Sequence, residues 1–341
     1  MKNILYLGFF ILKTDYKDLI KSINCTSKKG YNKLFLCIRM VINSLWYGSS
    51  FVDYYNFQFY RKNKEQKKEY ATMGIMYKFH NKMNHKDFID EVDNKKTFFK
   101  TFNKFCNPAF LYTQKDMDII TTVILERINQ KIVIKNPESS GGKGVRIFQV
   151  QKKENSIMIG DEELITFLKN HFKENEYFYF EDFIVQHESI ANISPSAVNT
   201  IRMITLLNDE NRVDIIGSVF RISVDCPIDN YSAGNLAAEI DSETGVVISG
   251  GIRKRSSCDS YHEIHPSTKQ QILGLKVPFW NEIKQLVTEA AHIVPQVRTV
   301  GWDIAITPSG PIIIEGNSKW NKDTWQIPAG KGKLHVIKKY L

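Results

Sequence analysis

Residues 302–317 read WDIAITPSGPIIIEGN, two apolar runs about a Pro-Ser-Gly turn. The pattern is that of a β-hairpin. Asp303, Glu315 and Asn317 nevertheless lie inside runs that otherwise read as core. Side chains alternate along a strand, so Glu315 and Asn317 share a face. With the turn centred on Ser309, Asp303 faces Glu315, residue 304 faces 314 and 305 faces 313. Facing residues sit roughly 5 Å apart, and like charges there repel. A cation between the acids relieves the repulsion. Two acids and an amide carbonyl form an oxygen-only set suited to a hard ion such as magnesium. Polar groups on a wet sheet face give the same pattern, and the hairpin by itself leaves both readings open.

The rest of the chain bounds the choice. Its 341 residues are enough for two or three lobes with a sizeable core. At 43% hydrophobic and 24% charged, it has the proportions of an ordinary globular protein. Forty-six Lys and Arg against 37 Asp and Glu leave a net charge of +9. That favours anionic partners: nucleotide phosphates, nucleic acid, acidic sugars or a membrane surface. The lysine excess of an Asn- and Lys-rich chain also follows from base composition alone. The cysteines at 25, 37, 106, 226 and 258 show no metal spacing. Their odd number argues against a disulfide framework and for a reducing, cytoplasmic setting. The opening MKNILYLGFFIL lacks a small-residue cleavage site and reads as a buried first segment, with targeting or membrane contact as the alternative. No apolar stretch reaches the roughly 20 residues of a membrane span.

Residues 1–90 read as a mostly helical module, with helices over 34–48 and 51–74. The run RKNKEQKKE (61–69) reads as a solvated helix face or a helix–helix turn, ahead of a specific anion site. After residue 90, strands and helices interleave. KIVIKNPESSGGKGVRIFQV (131–150) is strand, glycine-rich turn and strand, and DEELITFLKNHF (161–172) is a helix. YFYFEDFIVQ, NTIRMITLL and RVDIIGSVFRISV are strands, and PFWNEIKQLVTEAAHIV (278–294) is an amphipathic helix. The class is α/β or α+β with mixed sheets.

Three stretches carry groups suited to chemistry. Lys135 ends a β-branched strand and precedes the loop ESSGGKG. Glycines there would let backbone N–H groups approach phosphate oxygens. The loop re-enters a strand rather than a helix, so it is not a Walker A loop. In EDFIVQHE (181–188), Asp182, Phe183 and Ile184 suit an adenine slot and Glu188 suits ribose hydroxyls; an ordinary strand end fits the same residues. Arg202 and Arg221 lie in apolar strands, where each needs either a salt-bridge partner or an anionic ligand.

In order along the chain stand NKKTFFKTF, the strand Lys with its glycine-rich hairpin, the acidic hinge, a strand Arg, and D…ExN on the hairpin. That order resembles the ATP-grasp superfamily. Within it, the chain looks most like the branch named for association with sugar transfer in surface-polysaccharide gene clusters. The similarity spans about residues 30–335 and is carried by QH (186–187), NTIRMIT, DNYSAGN (229–235), ETGVV (243–247) and GWDIAITPSGPIIIEGN. It implies an ATP-grasp fold of two α+β lobes clasping ATP, 91–185 and 186–341, behind the helical module. Lys95 and Lys135 would contact ATP phosphates. The flap Ser139, Ser140, Gly141, Gly142, Lys143 and Gly144 would close over them. Glu181 to Ile184 would hold adenine, and Glu188 ribose. NKK stands where the family commonly has DK, so Lys96 competes with Lys95. Asp303, Glu315 and Asn317 would ligate two magnesium ions, with Arg202 and Arg221 at the reacting acyl phosphate. The activity implied is ATP-dependent joining of an acid and an amine, with a uronic-acid sugar as one partner in capsule, exopolysaccharide or O-antigen synthesis. Asn199, Asp229, Asn230, Lys319 and Trp325 would line the acceptor pocket, though Asp229 and Asn230 also read as turn residues and Trp325 as core.

A protein kinase would place its glycine loop before the strand Lys and carry HRD and DFG; neither triplet occurs. A nucleic-acid module would not need acids on one hairpin face, and no nucleic-acid motif is seen. A nucleotide-binding scaffold without turnover, in a polysaccharide assembly complex, stays open. So do a dimer and a place at the inner face of a membrane.

Overall fold

A computed structural model describes residues 2–136, 144–154, 156–254 and 261–341. Two sheets organise it. The first is six-stranded: β1 (Ala109–Thr113), β2 (Lys131–Ile134), β3 (Arg146–Lys153), β4 (Ser156–Ile159), β5 (Glu162–Glu163) and β6 (Tyr177–Asp182), in the order β1-β6-β2-β3-β4-β5. The second is seven-stranded: β7 (Ile201–Leu207), β8 (Val213–Ile222), β9 (Leu236–Ile240), β10 (Gly251–Ile252), β11 (Tyr261–His262), β12 (Thr299–Thr307) and β13 (Gly310–Asn317). Its order is β11-β10-β9-β8-β7-β12-β13. Neighbouring strands pair antiparallel in both, so the mixed sheets expected from sequence do not form and the class is α+β.

The second sheet is covered on both faces, the first chiefly on one. Every residue of β7 is buried, which explains its unbroken apolar run. On one face Met203, Phe220, Trp302 and Ile304 pack against Ile283, Val287 and Ala290 of the helix Trp280–Ala291. On the other, Val219, Ala237 and Ile252 meet Tyr54, Tyr55 and Phe59 of the N-terminal helices. In the first sheet Ile132 and Phe180 pack on Ile120, Ile124 and Leu168 from the helices Met117–Leu125 and Leu164–Glu174.

Several expectations are corrected. The helix expected over 161–172 starts at Leu164, because Glu162–Glu163 pair with β4. The stretch 51–74 is not one helix. Phe51–Asn56 ends before Gln58, whose φ is 54°, and Lys64–Lys68 restarts under a capping box from Asn63 and Gln66. In RKNKEQKKE, Lys67 is buried rather than solvated. Cys25 is held in a disulfide, which spacing along the chain did not reveal; Cys37, Cys106 and Cys226 are free thiols. The first segment is a helix, Lys2–Lys13, with Phe10 buried but Phe9, Ile11 and Leu12 exposed. No helix among the described residues is long and apolar enough to cross a membrane.

Candidate active site

The hairpin β12–β13 sets Asp303 directly opposite Glu315. The inner register differs from the simple count. Thr307 faces Gly310 across a two-residue turn, and Ile304 faces Ile313, with an irregularity after Asp303. Ile314 is thus an extra residue in β13. A bulge of this kind re-aims the side chains beside it. β12 also pairs with β7, which sets Asp303 opposite Arg202, and Arg202 faces Val219 on β8. Glu315, Asp303 and Arg202 therefore form one cross-strand row. Gly301 lets the row close: a Cβ there would lie 2.7 Å from Trp320 Cβ and 3.1 Å from Arg202 Cδ.

The row is dense with charge. Arg202 donates to both Asp303 oxygens, Nη2 to Oδ2 at 2.7 Å. Arg221 Nη1 donates to the same Oδ2 at 2.6 Å, and its Nη2 reaches Asp229 Oδ1 at 2.9 Å. Asp229 is fixed in turn by the Thr200 amide at 2.9 Å and by the Thr200 hydroxyl. Burial disfavours the Asp303 charge, but Arg202 and Arg221 outweigh it and hold the carboxyl well below the usual range. Burial raises the Asp229 carboxyl, with Arg221 opposing. Glu315 is half-buried, and no arginine among the described residues hydrogen-bonds it. Burial, then the Asp303 charge, push its carboxyl up to about 7. Asn317 Nδ2 lies 3.4 Å from Glu315 Oε1.

The first sheet supplies the facing groups. Lys135 Nζ meets Glu181 Oε2 at 2.5 Å, and the buried Tyr179 hydroxyl donates to Glu181 Oε1 at 2.7 Å. The helix Lys95–Thr101 bridges the two sheets, with Phe99 against Tyr179 and Phe102 against Trp302. Gly316 allows it to dock, since a Cβ there would lie 2.7 Å from Val92 and 3.1 Å from Phe98. Burial and the Lys135 charge lower the Lys95 pKa, while Glu315 and Glu181 oppose them. Lys95 is therefore the lysine that feels both sheets. Lys96 lies over the Tyr177 ring at 4.0 Å.

Beyond β6 the chain is extended. Asp182 is bound through its side chain by Arg127 at 2.5 Å and through its carbonyl by Asn107 at 2.6 Å. The Phe183 amide donates to Lys131. The amide and carbonyl of Ile184 make no protein hydrogen bond among the described residues. Glu188 is exposed in the first turn of Glu188–Ala191.

Some expected groups stand elsewhere. Trp325 is fully buried, donates to Ile216 and fills the space over Gly217, so it is core and not a sugar platform. Asn199 is buried, and its amide is engaged by Ser194, Ala197 and Ser223. Asp229 backs Arg221 instead of facing an acceptor. The Asn230 carbonyl accepts from Ala233 and Asn235 within the loop. Lys319 is exposed. Ser139, Ser140, Gly141, Gly142 and Lys143 lie outside the described residues; Gly144 is an exposed turn with φ 73°. Sequence reasoning missed Tyr179, which bonds Glu181 two residues along the same strand, and Thr200, whose partner Asp229 is 29 residues away. Gly301 was legible as the glycine of GWD. A concavity of about 420 Å³ lined by Glu243, Lys276 and Phe279 shares none of these residues.

Among the described residues no three His, Cys, Asp or Glu converge as a metal cluster. A cation here would need the Asn317 amide to complete the set. The donors fit a hard ion because all are oxygens and because no Lys or Arg among the described residues is bonded to Glu315.

Two antiparallel sheets presenting lysines and carboxylates to one another are the ATP-grasp arrangement. A family model described as sugar-transfer associated ATP-grasp matches residues 75–340, and the chain belongs to that family. Comparison with curated proteins finds no match. Solved structures with similar folds include an ADP complex of purK, an N5-carboxyaminoimidazole ribonucleotide synthetase, at 10% identity and TM-score 0.40, covering 69% of this chain and 46% of that one. A Staphylococcus aureus N5-carboxyaminoimidazole synthetase with ADP gives 11% and 0.40, covering 71% and 52%. The Coxiella burnetii D-alanine-D-alanine ligase gives 12% and 0.35, covering 67% and 47%. The chain spans about half the length of these solved chains.

Proposed function

We propose that the protein is an ATP-dependent carboxylate–amine ligase. The observation that carries this reading is Glu315, an acid with no arginine bonded to it among the described residues, set opposite Asp303 and within electrostatic reach of Lys95. Lys95 and Lys135 bind the ATP phosphates, and residues 139–144 close over them. Ile184 offers its free amide and carbonyl to adenine, with Phe183 alongside and Glu188 on the ribose. Asp303, Glu315 and Asn317 hold two magnesium ions. Bound there, magnesium neutralises charge on the transferring phosphoryl group. Residues 91–185 and 186–341 act as the two lobes.

A substrate carboxylate oxygen attacks the γ-phosphorus, and the bond to ADP breaks. An amine nitrogen then attacks the acyl carbon, phosphate leaves, and the nitrogen loses a proton to give an amide. Arg202 Nη1 makes no protein hydrogen bond among the described residues, so it is the donor for the developing oxyanion. Arg221 and Asp229 position Asp303 rather than touch substrate. The family's name supports a sugar acid, such as a uronic acid, as one substrate and an amino acid or amine as the other, in surface-polysaccharide synthesis on the cytoplasmic side.

The test is hydroxylamine trapping. Protein, Mg-ATP and pooled uronic acids without an amine should give a hydroxamate that Glu315→Gln does not form. One observation favours a second reading, a nucleotide-binding scaffold: both Asp303 oxygens are engaged by arginines. ATP binding without hydroxamate from any acid would support it.

A further inference from the structure

The helix Lys33–Tyr47 buries Leu36, Met40, Asn43 and Ser44 and exposes more large apolar side chains than it buries. Leu34, Phe35, Ile38, Ile42 and Trp46 are 70%, 52%, 51%, 43% and 67% exposed. They recur at three- and four-residue spacing and so form one stripe. The helix Lys2–Lys13 adds Phe9 and Leu12, the latter 83% exposed. Contiguous apolar surface of this kind marks a contact site.

Charge identifies the partner. Residues 2–47 carry eight Lys and Arg against two Asp and no Glu. Beside Trp46 opens a groove of about 390 Å³, lined also by Tyr6, Lys67, Lys68 and Lys78. Lys68 pairs with Glu65 at 2.9 Å. Lys67 is only 7% exposed and lies over the Tyr47 ring at 5.9 Å, with no carboxylate bonded to it among the described residues. A buried ammonium without an acid calls for an anionic ligand. A second copy of the chain would bring two basic faces together, which disfavours it as the cover.

We propose that this face docks on an anionic lipid bilayer, the stripe entering the headgroup boundary and a lipid phosphate taking Lys67 in the groove. Basic residues with Trp and Leu on an amphipathic helix are the recognised features of such binding. The surface lies largely outside the family-matched residues and does not depend on the ligase reading.

Flotation of the full chain with phosphatidylglycerol vesicles and with phosphatidylcholine vesicles tests it. The protein should float with the first and not the second, and added salt should weaken binding. Trp46 is the exposed one of five Trp, so its emission alone should shift to the blue. Ile38→Asp should weaken binding at least about tenfold, and Lys67→Met about fivefold. Both should keep the circular dichroism of the parent. No flotation on phosphatidylglycerol, equal flotation on both lipids, or parent-like binding by both variants would overturn the proposal. So would a dimer of the parent that Ile38→Asp dissociates, since a second copy would then be the cover.

Discussion

Two buried clusters in this protein are built alike and differ in one respect. At the first, Arg202 and Arg221 surround Asp303, with Asp229 behind and Glu315 opposite. At the second, Lys322 Nζ lies 2.6 Å from Asp53 and 2.7 Å from Asp323. Each has one acid more than it has cations. In the second cluster the surplus is absorbed. Asp53 Oδ2 accepts from the Ser50 and Met73 amides at 3.0 and 2.9 Å, and Asp323 accepts from Asn56 at 2.9 Å. Both acids also sit in the first turn of a helix, where the dipole favours them. Glu315 stands on a strand, outside any helix dipole, and among the described residues accepts only a long 3.4 Å bond from the Asn317 amide. The comparison separates a cluster that fastens the N-terminal helices to the C-terminal segment from one whose surplus acid is poorly compensated.

The largest effect is expected at Glu315. Glu315→Gln should lower ATP turnover by at least about a thousandfold, since Glu315 would hold a charge-neutralising cation, while leaving the melting temperature unchanged or higher. Equal rates in parent and variant would erase the distinction between the clusters. Asp303→Asn should lose turnover too, but should also cost about 3–5 kcal/mol of stability, because it leaves two buried guanidiniums short of charge. Denaturant titration of the two variants side by side reads that contrast. Lys322→Met should destabilise by a similar amount, about 3–5 kcal/mol, yet leave the ATP affinity of the folded protein at the parent value. A weaker nucleotide affinity would place Lys322 in the site.

His80 gives a pH test outside both clusters. Burial, then Lys319, lower its pKa to about 4. The unfolded chain, with His near 6.5, binds the proton more readily. Stability is therefore full above about pH 6.5 and lost as pH falls toward 4, by up to about 3 kcal/mol. His80→Phe should flatten that part of the parent's stability–pH curve, and an unchanged slope would refute the assignment. The smallest effect is expected at Lys135. Lys135→Ala removes one charge-assisted hydrogen bond and should weaken ATP binding about tenfold by calorimetry. Unchanged affinity would remove Lys135 from the site.

The pairing of Asp303 with Glu315 was legible because alternation along strands has a fixed period. It came out right through two compensating features, a turn one residue tighter and the bulge at Ile314, which nothing in a run of isoleucines marks. Lys135 was legible as a strand-ending lysine, whereas its partner Glu181, on a strand 46 residues away, required the sheet order. Trp325 read either as a sugar platform or as core, because a Trp among Lys, Asn and Asp carries no periodic signal; burial decides for core. Its cover, over Gly217, comes from more than a hundred residues away. The helix Lys33–Tyr47 was legible as a helix, but apolar residues on both faces left its buried side unreadable. The break at Gln58 lay in a backbone conformation that sequence does not announce, though the Asn63–Gln66 capping box was there to be read.

The central claim is that Glu315 is the acid that makes this cleft a ligase. The direct measurement is ADP release from the purified full chain with Mg-ATP, uronic acids and amines, the parent beside Glu315→Gln. The account predicts release that requires both an acid and an amine and that vanishes in the variant. Release that continues in Glu315→Gln at the parent rate would contradict it.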